Sequence, residues 1–195
     1  MTYLAGAELK TYLGISLSSD DPLLTTLIAA AQAGIDSYAH RTFETAADAI
    51  RYFDVGADTV GDTLYLDMDL HTITSIITNA DGASPITLAT TEYFTLPRNG
   101  PPYHAIKIAG SSGKYWRYTS DSQAGIKITG KWVYSLVPPA DIKMACLRWA
   151  GYLYKLRDSQ VFDVTSIPEM GQMIIPKGMP QDVKILLDPY IRARL

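Results

Sequence analysis

The chain has 195 residues, a formal net charge of −3 and a single cysteine, Cys146. This length fits one ordinary domain, or a core that carries one inserted subdomain. The acidic balance argues against a broad nucleic-acid-binding surface, and one cysteine excludes both an intrachain disulfide and a cysteine metal cluster. The opening MTYLAGAELK lacks the basic and apolar regions of a signal peptide, and no run reaches the roughly 18 apolar residues of a membrane span. We therefore expect a protein made in the cytoplasm, without membrane insertion.

Residues 1–47 have the pattern of two helices. The first covers residues 7–13 and ends at Gly14, because glycine accepts positive φ. The second begins at Asp21, a suitable N-cap, followed by Pro22 at the first helical position. Its apolar residues recur at helical spacing and predict one buried stripe. The stripe consists of Leu23, Leu24, Leu27, Ile28, Ala31, Ile35 and Tyr38.

Residues 48–134 change to a strand pattern. Short β-branched and aromatic runs such as IRYFDV, TITSIITN and GIKITGKWVY are separated by turn signals, among them Asp81-Gly82 and Asn99-Gly100. About seven strands at this spacing predict an antiparallel β-sheet or small barrel. The sequence therefore indicates an α+β protein, in which a β subdomain is inserted into a helical core.

Residues 135–158 predict a long core helix with two apolar faces. Ile142, Cys146 and Trp149 belong to one face, and Leu147 and Tyr154 belong to the other. The two N-terminal helices are long enough to cover one face. The sheet or a second subunit is then expected to cover the other.

Residues 159–180 are apolar but interrupted by prolines and glycines, with Met170, Met173 and Met179 interleaved. Ordering such a segment costs on the order of 1–2 kcal/mol per residue in backbone entropy. We interpret it as an extended arm that orders against a partner, although a long loop on the chain's own core is the alternative. Residues 181–195 predict a short C-terminal helix that Pro189 ends or kinks.

A search for catalytic patterns finds little. His40, His71 and His104 are far apart along the chain; the run Asp67, Asp69 and His71 is the one candidate for a hard-metal or hydrolase site. The segment AGSSGKYW departs from a phosphate-binding loop, and Cys146 falls on an apolar helix face, as a packed thiol does. We expect no enzyme, no cofactor and no resident metal.

A second hypothesis rests on aromatic residues. Tyr115, Trp116, Tyr118, Trp132 and Tyr134 are predicted on adjacent strands. If exposed, such a row stacks sugars or bases, although these residues more often fill the inner face of a sheet. The alternative function is therefore a carbohydrate- or ligand-binding β domain, for example in host-surface recognition.

Two blocks resemble a known family. Residues 9–43, with the run LKTYLGI and the end YAHRTF, resemble the N-terminal helical pair of tailed-bacteriophage head–tail connector (adaptor) proteins. Residues 128–159, with VPPADIKMA and YKLRDS, are similar to the later signature of that family. Together the blocks cover roughly a third of the chain, in the family's order. The longer strand region between them departs from the smallest family members.

The resemblance implies a structural virion protein, made in the bacterial cytoplasm and located at the head–tail junction. Such proteins form a ring, commonly twelvefold, beneath the portal protein. They extend the DNA channel and contact the next neck, stopper or tail component, while genomic DNA passes without sequence-specific binding. The residues that we predict at interfaces with other subunits or the portal are Leu27, Ile28, Ile35, Tyr38, Trp149, Tyr152, Val161, Phe162, Ile167, Met170, Met173, Ile174, Ile175 and Met179.

Overall fold

The structure, a computed structural model, describes residues 2–44, 47–159, 164–167, 171–174 and 178–192. The chain divides into two compact units: residues 1–41 with 138–195 form a helical unit, and residues 42–137 form a β unit. This arrangement confirms the predicted α+β class. The division falls a few residues outside the limits that the sequence suggested for the subdomain.

The helical unit contains α1 (Gly6–Leu13), α2 (Asp21–Ala39), α3 (Ala140–Ser159) and α4 (Gln181–Leu187), with a 3₁₀ turn at Asp188–Tyr190. The first helix ends at Gly14, as predicted, with φ of 71°. In α2 the N-cap is Asp20, one residue before the predicted Asp21. The Asp20 carboxylate makes no capping bond and accepts a hydrogen bond from the Tyr154 hydroxyl of α3.

The core of the helical unit lies between α2, α3 and α4. Cys146 is fully buried there, as predicted, and burial raises the pKa of its thiol to about 12. Gly34 of α2 lies directly against the indole of Trp149 in α3, where a Cβ would stand 1.9 Å from Cη2. The buried apolar residues from the three helices are Leu24, Ile28, Ala31, Ile35, Ala39, Ile142, Ala145, Cys146, Ala150, Val183 and Leu187.

The second face of α3 is partly covered by α1. At its centre, a Cβ on Gly151 would lie 3.1 Å from the Tyr12 ring and 3.6 Å from Leu13. The sequence led us to expect the sheet or a second subunit there. The short first helix packs in this place because Gly151 gives it close access. Met144, on the same face, is 42% exposed.

The β unit contains two four-stranded antiparallel sheets. In spatial order, the first sheet consists of β1 (Ala49–Phe53), β8 (Ile126–Lys131), β4 (Thr72–Thr78) and β5 (Ile86–Thr87). The second consists of β2 (Thr59–Val60), β3 (Thr63–Leu70), β7 (Tyr103–Ile108) and β6 (Tyr93–Leu96), and a 3₁₀ turn follows at Gly110–Ser112. Both sheets are open over the part of the chain that the structure describes, so the sheet interpretation holds and the barrel alternative does not.

The β unit has a core of its own. Its buried residues come from both sheets, and two tryptophans complete it: Trp116 Nε1 donates to the carbonyl of Asp62, and Trp132 Nε1 to that of Ala49, each at 3.0 Å. The ends of the unit are joined, because Tyr134 N–H donates to Thr42 O at 2.8 Å. The core comprises Phe53, Leu64, Leu66, Leu70, Ile76, Leu88, Ile106, Ile108, Trp116, Ile126, Ile128 and Trp132.

Between α3 and α4 lies a β-hairpin. Strands β9 (Val164–Ile167) and β10 (Gly171–Ile174) pair antiparallel, with Val164 opposite Ile174. We predicted an extended arm in this segment, whereas its described residues pair with each other as two short strands. Of the residues that we took only as breakers, Pro168 comes directly after β9 in the sequence and Gly171 is the first residue of β10.

Candidate interaction surfaces

The candidate metal or hydrolase run does not form a site. Asp67 makes an ion pair with Arg51, Asp69 is 6% exposed, and Nδ1 of His71 lies 3.3 Å from the Thr72 hydroxyl. Partial burial, with a smaller contribution from Lys131, lowers the pKa of His71. Over the described ranges, no three His, Cys, Asp or Glu side chains are grouped to hold a metal ion.

The predicted aromatic row is also absent from the described surface. Trp116 and Trp132 belong to the core, with exposed fractions of 6% and 7%. Tyr115 and Tyr118 are exposed, but residues 114–118 form no strand. The tyrosine and tryptophan side chains therefore lie in different environments, and the sugar-binding hypothesis loses the two rings best suited to stacking.

The predicted interface residues of the helices fall into two groups. Ile28 and Ile35 are buried within the subunit, so in this conformation they offer no surface to another copy. Leu27, Tyr38 and Tyr152 are half-buried and keep part of their surface. The Tyr38 hydroxyl donates to Asp188 at 2.7 Å, and this bond to a carboxylate raises the phenol pKa.

Trp149, the remaining helix residue of the prediction, is half-buried and packs on Gly34 inside its own unit. Its indole therefore packs α2 against α3 within one subunit, and part of the ring is also exposed. Helical periodicity in the sequence predicted that Trp149 makes contacts, but not that it contacts Gly34.

The predicted arm residues are described in part. Ile167, Met173 and Ile174 lie in the strands of the β9–β10 hairpin, and Met179 is half-buried just before α4. The others lie outside the described residues: Val161, Phe162, Met170 and Ile175.

The helical unit has a groove of about 300 Å³ that the sequence did not reveal. Arg148, Tyr152 and Lys155 recur along one side of α3 and line it together with Tyr12 of α1. Arg148 pairs with Asp182 at the start of α4 at 3.0 Å. In the sequence, the spacings of four and three residues between Arg148, Tyr152 and Lys155 indicate that they share one side of the helix. The groove therefore combines aromatic surface with Lys155 and an Arg148–Asp182 ion pair.

The β unit exposes a second feature that sequence reasoning missed. Strand β1 stands at the edge of its sheet, and its Ile50 and Tyr52 side chains are 50% and 58% exposed. Alternation in β1 places Arg51 and Phe53 toward the other face, with Phe53 in the core. The sequence run IRYFDV indicates this alternation, but it does not say that the strand is an edge.

These observations describe the subunit before any comparison. Among the described residues we find a helical unit and a β unit with exposed apolar and tyrosine side chains, and no group of His, Cys, Asp or Glu that could hold a metal ion. None of its described helices is both long and apolar enough to cross a membrane.

Comparison with known proteins finds a family match over part of the chain. Residues 7–81 match the model of the phage gp6-like head-tail connector protein family. The resemblance that we predicted from the two helices is therefore confirmed over those residues. The later block, residues 128–159, lies outside the matched range. No curated protein sequence matches the chain significantly.

Solved structures share the fold over nearly the whole chain. A chain from the neck of an empty gene transfer agent particle, computed with C6 symmetry, has a TM-score of 0.64 at 15% identity, with 99% of this chain and 91% of that one covered. A chain from the virion of the native gene transfer agent particle has a TM-score of 0.62 at 18% identity, with 99% of this chain and 91% of that one covered. A chain from the neck of the native particle, computed with C12 symmetry, has a TM-score of 0.60 at 18% identity, with 97% of this chain and 88% of that one covered.

Proposed function

We propose that this chain is a head–tail connector, a structural virion protein whose copies form a ring in the particle neck beneath the portal protein. The observation that carries the proposal is the connector-family match at residues 7–81. The shared fold, which extends over both units, supports it, since the similar chains come from virion and neck structures. The role is one of assembly and requires no cofactor or reaction.

The ring is proposed to be twelvefold. The C6 and C12 symmetries of the similar neck structures support a closed rotational assembly. In such a ring each interface is heterologous, because one patch of a subunit meets a different patch of the next. The ring extends the DNA channel from the portal to the next neck or tail component.

Contacts are proposed at partly exposed residues of the helical unit and at one further segment of the chain. On the helical unit these are Leu27, Tyr152 and the groove between Tyr12 and Lys155. The segment 161–179, which includes the β9–β10 hairpin, is the second candidate surface. Ile28 and Ile35 support these contacts only indirectly, by holding α2 in the core.

The experiment compares the protein alone with the protein mixed with portal particles of the same virus, by mass measurement and negative-stain microscopy. We expect a ring on the portal with a particle mass that fits twelve copies of 21.4 kDa. Replacing residues 161–179 by a Gly/Ser linker of equal length should abolish ring docking. The circular dichroism spectrum of that variant should stay close to the wild type, because the core residues that the structure describes all lie outside the segment.

Two results would contradict the proposal. One is a wild-type protein that stays monomeric and does not bind portal particles at any concentration tested. The other is unfolding of the linker variant, which would show that the segment belongs to the subunit's own core.

A further inference from the structure

One sheet edge in the β unit is left open. Of the four edge strands, β2 and β5 are two residues long, and β6 is followed at once by Pro97. Short strands and proline are ordinary protections against pairing with another chain. Strand β1 has five residues, contains no proline or lysine, and is paired among the described residues on the β8 side alone.

The side chains of β1 do not protect this edge either. Its one charged residue, Arg51, makes an ion pair with Asp67 and lies over the Trp132 ring at 5.3 Å. Ile50 and Tyr52, on the opposite face, are exposed and have the β-branched and aromatic character that favours cross-strand pairs. An unprotected strand with such residues is suited to accept a further strand.

The β9–β10 hairpin lacks neighbouring strands. Each of its strands has four residues, and within the described part of the chain no third strand joins this two-stranded sheet. A two-stranded hairpin is marginally stable at best in water, whereas three or more strands reach independent stability. Docking on another sheet would supply the missing strands.

The connection to α3 limits where the hairpin can dock. Five residue steps lead from Ser159, the end of α3, to Val164, the first residue of β9. A connection of this length spans at most roughly 18 Å. The partner strand must therefore belong to a directly adjoining copy.

We propose that the β9–β10 hairpin of one copy adds to the β1 edge of the adjoining copy, which extends that four-stranded sheet to six strands. The contact is heterologous, since a hairpin from the helical unit of one subunit meets the β unit of the next. Such contacts close into a ring when the rotation between copies allows it. The inference rests on the proposed connector ring, and it assigns one of the contacts that hold the ring together.

Disulfide trapping between two variants tests the contact. One variant carries Tyr52→Cys, and the other carries Thr165→Cys or Ser166→Cys, two neighbouring positions that alternate between the faces of β9. The variants are mixed, assembled with portal particles and oxidised. Cys146 remains in place, because it is fully buried and its thiol pKa is about 12. Only neighbouring copies in the mixture can join the two new cysteines.

We expect a cross-linked band at about twice 21.4 kDa with one of the two hairpin variants. The matched control is Val60→Cys, whose side chain is 70% exposed on a strand of the other sheet and should give no band. A second pair of variants tests the same contact by charge. Tyr52→Lys should lower the amount of assembled ring at least about tenfold relative to the wild type, and Val60→Lys should leave that amount unchanged.

The outcomes distinguish this inference from the proposed function. Wild-type rings on portal particles, without the cross-link and with full assembly of Tyr52→Lys, would overturn the strand contact and leave the connector intact. A cross-link that joins the Tyr52→Cys variant to the portal protein instead of a second copy would also overturn it. If the wild type forms no ring, both proposals fail.

Discussion

At the scale of single residues, the partly buried carboxyl of Asp36 makes stability depend on pH. Asp36 lies in α2, where its carboxylate accepts a hydrogen bond from the Tyr3 hydroxyl. Burial raises the pKa of Asp36 from 3.8 to about 6, although the bond from Tyr3 acts in the opposite direction. Since the folded state holds this proton more tightly than the unfolded state, the contribution of Asp36 to stability is greatest at low pH and falls as the pH rises from about 4 to 6.

Asp36→Asn should therefore stabilise the helical unit at pH 7, because it removes the partly buried charge and keeps an acceptor for Tyr3. We expect a gain on the order of 1 kcal/mol, reduced by the solvent that still reaches the group. The gain should shrink as the pH falls from 6 towards 4 and disappear at about pH 3, where the wild-type carboxyl is protonated in the folded state and largely protonated in the unfolded state. Thermal unfolding followed by circular dichroism, at several pH values across this range, measures it.

Asp188→Asn provides the control, because it alters a second Asp–Tyr pair, with Tyr38, in an exposed position. Its effect should change less over the same pH range. A constant difference between Asp36→Asn and the wild type across that range would refute the account of Asp36.

At the scale of elements, the packing of α2 on α3 depends on a glycine. A Cβ at Gly34 would overlap the Trp149 ring, so Gly34→Ala must displace the indole or separate the helices. Overpacking of this kind costs about 1–3 kcal/mol, which outweighs the helix propensity that alanine contributes. We expect a lower midpoint in urea unfolding followed by circular dichroism.

Gly6→Ala is the matched control, because a Cβ there meets nothing within 4 Å. It should be neutral or slightly stabilising. The double variant Gly34→Ala with Trp149→Ala should lose less stability than the sum of the single variants, since removal of the indole leaves room for the new Cβ. Additive losses would mean that Gly34 and Trp149 do not act on each other.

The elements also show where sequence reasoning succeeded. Helical period, Gly14 and Pro22 predicted α1 and α2 because these signals are local to each helix. The β1–β8 pairing joins Ala49 to Gly130 across the length of the subdomain. Local alternation predicts each strand but not its partner, so the open edge at β1 did not follow from the sequence.

The candidate surfaces show the same limit. A stripe at helical spacing contains both Leu27 and Ile28, and only the packing of α3 decides which of them remains partly exposed. The hairpin was missed because Pro168 and Gly171 are compatible both with an extended arm and with a turn between two strands. Two-strand pairing depends on register, which composition does not specify.

At the scale of the whole molecule, net charge and ion pairing determine the affinity of the proposed ring for DNA. The chain has 17 Lys and Arg against 20 Asp and Glu. Several of the described cations are paired with carboxylates: Lys10 with Asp21, Arg148 with Asp182 and Lys114 with Glu92. These pairs reduce the local positive potential that phosphate binding requires. A channel built from such subunits would let DNA move without holding it.

We therefore expect the protein and its ring to show no measurable affinity for duplex DNA at physiological salt. Non-specific binders typically reach dissociation constants of about 10⁻⁴ to 10⁻⁶ M by neutralising several phosphates, and their affinity falls steeply as salt rises. Fluorescence anisotropy of a labelled duplex, titrated with ring-containing samples at two salt concentrations, measures both quantities. Micromolar binding that weakens about a thousandfold between roughly 50 and 200 mM salt would reveal a basic DNA-binding surface of about six phosphate contacts or more. Because the chain's cations are outnumbered by its acids, such a surface would require the ring to concentrate its Lys and Arg residues along the channel, and passage would then involve repeated binding and release.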